Sequence, residues 1–466
     1  MSAPLRRVAE RTPPGRDRHI DLLRAVAIVL VVLGHWLAVV VTYRGRIGGD
    51  TVLAFVPWAR PLTWLFQVMP VFFLVGGFAG AASLGSYRRR GGDAIGWFLC
   101  RTDRLIRPTT AFLLALGGAA LIALLLGADP ATVGMGVWLA CLPLWFLIAY
   151  VTVVLLTPVL LALHRRAGLA VPAVFAVAVA FGDAARLLGG PGVIGAANYL
   201  LAWAAVYQLG IAWREGALSA RPRVAVPMIV GGLGALVLLT VPGPYPVSMV
   251  TDPGARLQNT SPPTLALLAL AVAQTGVALL LHERGGRMLR RTRPWTVVVA
   301  ANSVIMTVFL WHMTAVVIAV LALYVTGLLP QPPPGSAAWL LLRVPWLAFL
   351  TATLAVLVAV FARFERRAFK RRAFERRAFE RRGGPRPAPG PGRAGASTFA
   401  ATMAGAGLVV AGLLGTALTG AEGLSAPRLP VHFAVFFAVY FAGAALLWAA
   451  RSWHRRGHVM RMPAEH

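Results

Sequence analysis

Apolar segments of about 20 residues recur along almost the whole chain, and this feature limits the possible fold more than any other. Hydrophobic residues make up 58% of the 466 residues, whereas soluble proteins average about 45–50%. A helix needs a run of about 20 apolar residues to cross the hydrocarbon core of a bilayer. The sequence therefore predicts an all-α, polytopic membrane protein. The predicted spans are residues 20–42, 62–84, 108–127, 137–163, 169–188, 194–213, 224–241, 263–281, 296–325, 338–362, 399–420 and 430–450.

The strong positive charge of the chain fits a membrane topology. The formal net charge is +29, with 45 Lys and Arg against 16 Asp and Glu, which in a soluble chain would suggest a nucleic-acid partner. Here the arginines are concentrated in every second connection between spans, and cytoplasmic loops are the ones enriched in basic residues. We therefore expect no nucleic-acid partner and two cytoplasmic termini. The abundance of Ala, Arg, Gly, Pro and Val suggests a GC-rich bacterial genome, hence a bacterial plasma membrane.

A basic low-complexity segment divides the chain. Residues 363–397 contain four pentapeptide units of the type Phe-Glu-Arg-Arg-Ala, followed by a Pro/Gly-rich linker. The segment separates a ten-span domain, residues 1–362, from a C-terminal helix pair with a basic tail, residues 398–466. Its aromatic and basic content fits contact with anionic lipid headgroups. The alternative is a repeat that expanded without a function of its own.

The first span carries three ionisable side chains on one face. At about 100° per residue, Asp21, Arg24 and His35 fall within an arc of about 60°. His35 lies about 16 Å further along the helix than Arg24, near mid-membrane depth. Ionisable groups at that depth are costly and usually line a functional cavity. The two cysteines, Cys100 and Cys141, form no CxxC or Cys/His cluster, so we expect no metal site.

Four short motifs follow one another between residues 18 and 362. They are Arg24-x10-His35, Met69-Pro-Val-Phe-Phe-Leu-Val-Gly-Gly-Phe78, Arg101-Thr-Asp-Arg-Leu-Ile-Arg-Pro108, and Asn302-Ser303 followed by Leu310-Trp311-His312. In order and spacing they resemble the membrane acyltransferase 3 family, whose members transfer acyl groups, often acetyl, to sugars and other polar acceptors. The resemblance implies a ten-helix acyltransferase bundle, with two further C-terminal transmembrane helices in this chain.

The resemblance also implies a reaction. It predicts an O-acyltransferase that takes acyl-CoA, acetyl-CoA in the simplest case, and acylates a hydroxyl group of an envelope glycan, a glycolipid or a metabolite. One position departs from the family pattern. Members often carry a Glu in the helix that corresponds to the region of Trp145, whereas Ala149-Tyr150 follow here and no carboxylate is present.

His35 and its neighbours on the first span are the predicted catalytic residues. An imidazole has a pKa near neutrality, so His35 could take the proton of an acceptor hydroxyl. A covalent acyl-imidazole is the competing role. Arg24 could hold a phosphate or the thioester end of the donor. Alternatively, Arg24 and Asp21 form an ordinary i,i+3 pair, and Asp21 could also orient Arg24 for binding.

Three arginines before the third predicted span form the predicted donor site. Arg101, Arg104 and Arg107 recur at intervals of three, which places a cationic stripe on a helix. Guanidinium groups bind phosphate oxygens in pairs, and coenzyme A carries a pyrophosphate and a 3′-phosphate. The alternative is plain cytoplasmic-side charge.

The remaining predicted site residues line an acceptor path. They are Ser303, Asn302, His312 and Trp145, and structural hydrogen bonds between helices are the alternative role. Two other functions stay open at this point. A secondary transporter is compatible with twelve spans, although no predicted span in residues 233–466 carries a second Arg-x10-His copy. A lipid-surface scaffold built on the basic repeat is the third possibility.

Overall fold

The computed structural model describes residues 10, 12, 15–43, 47–381, 395–419 and 429–459, and these are almost entirely helical. One short hairpin, β1 (Val39–Tyr43) and β2 (Ile47–Thr51), follows the first helix. The helices are α1 (Arg18–Ala38), α2 (Thr63–Phe66), α3 (Met69–Arg89), α4 (Ala94–Leu125), α5 (Pro130–Cys141), α6 (Leu144–Ala167), α7 (Ala170–Leu187), α8 (Gly192–Ala196), α9 (Asn198–Glu215), α10 (Pro222–Thr240), α11 (Leu265–Leu280), α12 (His282–Met288), α13 (Thr292–Asn302), α14 (Ile305–Ala319), α15 (Ala337–Arg381), α16 (Ala396–Leu418) and α17 (Leu429–Val459).

The described helices confirm the predicted all-α polytopic membrane fold. Eleven segments are long and apolar enough to cross a membrane, and the pair α11–α12, bent by 47°, is a twelfth if counted as one span. Each of these segments overlaps one of the twelve predicted spans.

Three of the predicted boundaries were wrong. The third span begins at Ala94 rather than near residue 108. The arginines between these two positions interrupt the apolar run but do not interrupt the helix. The fourth is split between α5 and α6 at Leu142-Pro143, where proline cannot supply a helical N–H.

The ninth predicted span is also broken, into α13 and α14, at Ser303-Val304. The Asn302 side-chain amide donates to the Val298 carbonyl, at 2.9 Å. The Ser303 hydroxyl donates to the Ala300 carbonyl, at 2.7 Å. Short polar side chains that bond to nearby backbone in this way compete with regular helix, which accounts for the break.

The arginine-rich connections meet at one end of the bundle. The Arg18 guanidinium donates to the carbonyl of Leu289, at 2.6 Å, and His282 contacts the Asp17 carboxylate, at 2.9 Å. Burial raises the pKa of Asp17, but hydrogen bonds from His282 and from the backbone of Ile20 outweigh it, and the pKa lies below its ordinary value. The start of α1 is thereby tied to the segment around α12.

The arginine-poor connections meet at the opposite end. The Arg343 guanidinium, on α15, donates to the carbonyl of Val39 just after α1, at 3.0 Å. The Gln67 amide, before α3, donates to the Met249 carbonyl in the loop between α10 and α11, at 2.8 Å. The contacts therefore sort the connections into two groups, as the charge alternation predicts. Which group faces the cytoplasm stays a prediction.

Close packing of α3 against α9 shapes the centre of the bundle. A Cβ atom on Gly77 would collide with the backbone carbonyl of Tyr207, and one on Gly210 would collide with that of Leu74. Only glycine allows the two backbones to approach this closely. The approach places the Tyr207 ring beside Gly76, where it meets Tyr150 of α6.

The C-terminal helix pair is docked onto the bundle. Helices α16 and α17 pack along each other, and together they contact α4, α5 and α6. Helix α15 continues through residue 362 and into the basic repeat as far as Arg381; the rest of the predicted linker, residues 382–394, lies outside the described residues. The division into domains at residues 362 and 397 stays a prediction.

Candidate active site

His35 presents one ring nitrogen as a base. It lies on α1 and is half-buried, and its Nδ1 is 2.8 Å from the carbonyl oxygen of Val31, one turn earlier. A carbonyl only accepts hydrogen bonds, so Nδ1 carries the proton in this contact. In the neutral ring Nε2 then holds a lone pair. The helix itself thus fixes the tautomer that general-base chemistry needs.

His312 places a second imidazole beside the first. It lies on α14, and its ring centroid is 5.0 Å from that of His35, with the planes inclined by 57°. The Nδ1 atom of His312 is 2.7 Å from the carbonyl of Phe309, so Nδ1 again carries the proton. The side chain is 0% exposed, and Nε2 is buried with no hydrogen-bond partner among the described residues. The site therefore brings together two lone pairs and no opposing charge.

Trp36 locks the two histidine helices together. Its indole N–H donates to the backbone carbonyl of His312, at 2.9 Å, and the ring is buried. This bond sets the register of α1 against α14, because it joins the residue next to His35 to the backbone of His312. The sequence predicts His35 and His312 separately, and only the tertiary packing makes them a pair.

Arg24 stands at the other end of the same helix face and is only weakly paired. Its Nη1 is 3.9 Å from Asp21 Oδ1, and its side chain is 30% exposed. Arg24 makes no hydrogen bond to any described residue. The Asp21 carboxylate instead receives two hydrogen bonds from Arg16, at 2.5 and 3.0 Å. Asp21 is thus bonded mainly to Arg16. The N–H groups of the Arg24 guanidinium form no hydrogen bond to a described residue.

Arg101 also belongs to the arginine end of the site, and its hydrogen-bond partners there are hydroxyl groups. On α4, its Nη2 donates to the Tyr150 hydroxyl, at 3.0 Å, and its Nη1 donates to the Ser83 hydroxyl, at 3.3 Å. The guanidinium also lies over the Trp97 ring, 5.7 Å from its centroid. None of these partners carries a negative charge. The cation is therefore held in place without being neutralised by them.

Tyr150 is the site residue that the sequence did not single out. It lies on α6 where the sequence departs from the family pattern, and its ring packs against Gly76. Family members often carry a Glu in this helix, whereas this chain has a tyrosine there. The arginine end therefore receives no carboxylate from α6. The available signal was a lone polar aromatic residue in an otherwise apolar span.

The other two predicted donor arginines point elsewhere. Steps of three residues turn a helix by about 60° each time, and Arg101, Arg104 and Arg107 diverge accordingly. Arg104 is exposed. Arg107 forms an ion pair with Asp103, at 2.6 Å. Only Arg101 therefore faces Tyr150, and binding roles for the other two stay predictions.

Rings connect the arginine end with the histidine pair. The Tyr150 ring is 5.4 Å from that of Phe146, and Phe146 is 5.5 Å from Phe309. Phe309 in turn is 6.3 Å from His312. Trp145 flanks this row next to Phe146, at 6.5 Å. The predicted path residue Trp145 thus lies beside a continuous aromatic wall.

Asn302 and Ser303 lie at the arginine end rather than beside the histidines. The Asn302 amide donates to the backbone carbonyl of Asp21, at 2.9 Å, and its Oδ1 is buried with no described partner. The Ser303 hydroxyl bonds to its own helix. Asn302 therefore ties the broken helix pair α13–α14 to the start of α1.

Comparison with known proteins gives one match. The model of an acyltransferase domain family, Acyl_transf_3, matches residues 17–363, which include His35, His312, Arg24, Arg101 and Tyr150. No curated protein matches the chain. No solved structure matches it either.

Proposed function

Because the chain belongs to the acyltransferase 3 family and is therefore a membrane acyltransferase, we propose that it moves an acyl group, acetyl in the simplest case, from acyl-CoA to a hydroxyl group. The acceptor is an envelope glycan, a glycolipid or a secondary metabolite. The family assignment removes the reason to favour a transporter. The observation that carries the proposal is the pair of neutral bases, His35 and His312, joined to a cationic end by one row of packed rings.

The cationic end supports an anionic donor. Arg24 keeps its donors, and Arg101 is held by hydroxyls that a phosphate oxygen can replace. A phosphate oxygen is negatively charged and a hydroxyl is neutral, so a guanidinium binds the phosphate more strongly and the exchange favours donor binding. Arg104, exposed on the same helix, adds attraction for the donor from solvent.

The aromatic row supports the thioester arm of the donor. An apolar wall accommodates a long, uncharged arm and excludes water from it, which limits hydrolysis of the thioester. With the phosphates at Arg24 and Arg101, the arm would lie along Tyr150, Phe146 and Phe309. Its thioester end would then come to the histidine pair, about 16 Å along α1 from Arg24.

The chemical step needs one base and one leaving group. The acceptor O–H gives its proton to Nε2 of His35 as its oxygen attacks the thioester carbonyl. The C–O bond forms, the C–S bond breaks, and the thiolate leaves with the electron pair of the C–S bond. It then takes the proton from His35, which restores the starting ring. A second hydroxyl group of the acceptor donates a hydrogen bond to the buried Nε2 of His312.

A covalent route uses the same atoms. His35 Nε2 itself would attack the thioester, and the acyl-imidazole would then pass its acyl group to the acceptor oxygen. Both routes place His35 at the reacting carbon. They differ in whether label stays on the protein when the acceptor is withheld.

The arrangement is oriented by charge. The donor is made in the cytoplasm, so the arginine end faces the cytoplasm and both termini lie there, in a bacterial plasma membrane. This agrees with the enrichment of basic residues in cytoplasmic loops.

Labelled acetyl-CoA tests the proposal directly. Membranes containing the wild-type protein should transfer label to a base-labile ester on a polar acceptor. His35→Ala should lower this transfer by about 10²- to 10⁴-fold, which is the range for removing a general base. His432→Ala, at a half-buried histidine on α17 far from the site in sequence, should leave transfer unchanged.

Two results would contradict the proposal. Full transfer by His35→Ala would exclude both chemical routes. Absence of any ester in wild-type membranes supplied with acetyl-, propionyl- and longer acyl-CoA would exclude acyl-CoA as the donor. Label on the wild-type protein that His35→Ala lacks would select the covalent route.

A further inference from the structure

The C-terminal helix pair lies outside residues 17–363, which match the family, yet it contacts the helix that carries Arg101. We infer that this pair supports the donor end, and that Arg451 on α17 is a positioning residue that acts through Asp103. The inference rests on the proposed binding of donor phosphates at this end. It assigns a role to a helix pair that the proposed reaction leaves unused.

Arg451 reaches deep into the arginine-rich segment of α4. One guanidinium nitrogen contacts the Asp103 carboxylate, and Nη2 donates to the Leu99 carbonyl, at 2.8 Å. Both partners are on α4, on either side of Arg101 in sequence. The Arg451 side chain is only 10% exposed. A basic residue that served only to mark the cytoplasmic end of α17 would point to solvent instead.

Two more contacts hold α17 along α4. The Tyr440 hydroxyl donates to the Ile106 carbonyl, at 3.1 Å. Near the start of α4, His454 Nε2 lies 3.6 Å from Oδ1 of Asp93, the residue that caps this helix. Helix α17 therefore follows α4 from its N-cap past Arg101, and it fixes the direction of this helix.

The charge of Asp103 explains why an arginine is needed. Asp103 stands between Arg101 and Arg104 in sequence, where an uncompensated carboxylate would repel donor phosphates and compete for the arginines. Asp103 is paired with Arg107 at 2.6 Å and with Arg451. With two guanidiniums on one carboxylate, the segment keeps a net positive charge for the donor.

The pair is also buried, so breaking it has a local consequence. Asp103 is 5% exposed, and a buried charge that loses a partner is strongly unfavourable. Without Arg451, the carboxylate would be expected to draw Arg107 or Arg104 closer and turn them away from the donor. Removing the carboxylate as well would remove this cause.

Donor binding to the full-length detergent-solubilised protein tests the inference. Arg451→Gln should weaken binding of coenzyme A about fivefold, since it removes one positive charge near the phosphates. In the acyl-transfer assay, the KM for acetyl-CoA should rise while kcat at saturating donor stays the same. The double variant Asp103→Asn/Arg451→Gln should return to within about twofold of the wild type.

Tyr440→Phe is the matched control. It removes the hydroxyl that bonds to Ile106 and Thr110 of α4 but changes no charge and keeps the ring, so coenzyme A should bind as it does to the wild type. A general loosening of α17 would instead weaken binding in Tyr440→Phe and in the double variant.

Each other outcome has a definite meaning. Wild-type protein that does not bind coenzyme A contradicts the proposed function itself. Wild-type protein that binds, with Arg451→Gln binding equally well, overturns the inference. If Arg451→Gln does not yield folded protein, the inference is tested by coenzyme A binding to Asp103→Asn and to the double variant. Binding by both variants that equals that of the wild type supports the inference. Weak binding by the double variant overturns it.

Discussion

The arginine end and the histidine end of the site differ in how their side chains are held. At the arginine end, Arg101 is bound by the hydroxyls of Tyr150 and Ser83, which other oxygen atoms can replace. At the histidine end, each ring is held by a carbonyl of its own helix, Val31 for His35 and Phe309 for His312. One end is built to exchange partners, and the other to keep a fixed geometry.

The difference separates binding from chemistry. Guanidinium groups stay charged and cannot act as bases near neutral pH, so the arginine end can hold a donor but cannot move its protons. Neutral imidazoles can move protons but offer no charge to a phosphate. No carboxylate partner of either histidine ring is found among the described residues. The tautomers are set by the helix backbone alone.

The largest effect expected at the arginine end follows from Arg101→Met. The variant removes a charged hydrogen-bond donor of about 1.5–3 kcal/mol, so the KM for acetyl-CoA should rise about 10- to 100-fold, with kcat at saturating donor retained. Steady-state kinetics in detergent or membranes measures both. Arg101→Lys, which keeps the charge but not the planar fork, should fall between.

A matched control separates binding from topology. Arg165→Met removes an exposed arginine that pairs with Glu215 at the same end of the bundle, at 3.1 Å. Its KM should equal that of the wild type. If Arg101→Met and Arg165→Met behave alike, the arginines serve only to orient the protein in the membrane.

A smaller effect is expected from Tyr150→Phe. The variant keeps the ring that packs on Gly76 and loses only the hydroxyl that holds Arg101. Under the proposed function a phosphate oxygen replaces this hydroxyl, so the variant removes a competing hydrogen bond of about 1.5 kcal/mol, and the KM for the donor should fall by about tenfold at most. Initial rates over a range of acetyl-CoA concentrations would show it. A fall in kcat with no change in KM would show that Tyr150 takes part in the chemical step rather than in donor binding.

The sequence was sufficient for the fold class and the family, because both depend on local patterns. Span length and composition fix the number of apolar helices, and the spacing of Arg24 and His35 places them on one helix face without any tertiary information. The charge alternation likewise anticipated which connections meet. These predictions stay correct even when the predicted helix boundaries are wrong by several residues.

The sequence was not sufficient for what depends on contacts between distant segments. His312 meets His35 where α14 packs on α1, and α14 is separated from α13 at Ser303-Val304, where the pattern predicted one continuous span. Tyr150 becomes a site residue because its hydroxyl meets Arg101 of α4, a contact that residue spacing does not show. The docking of α17 on α4 involves Arg451, Tyr440 and His454, and residue spacing gives no sign of these contacts.

The central claim is that binding and chemistry lie at different ends of one path. The most direct measurement is equilibrium binding of acetyl-CoA to purified His35→Ala and to purified Arg101→Met, compared with the wild type. The account predicts wild-type affinity for His35→Ala and at least tenfold weaker binding for Arg101→Met. Loss of binding in His35→Ala, together with wild-type affinity in Arg101→Met, would contradict it.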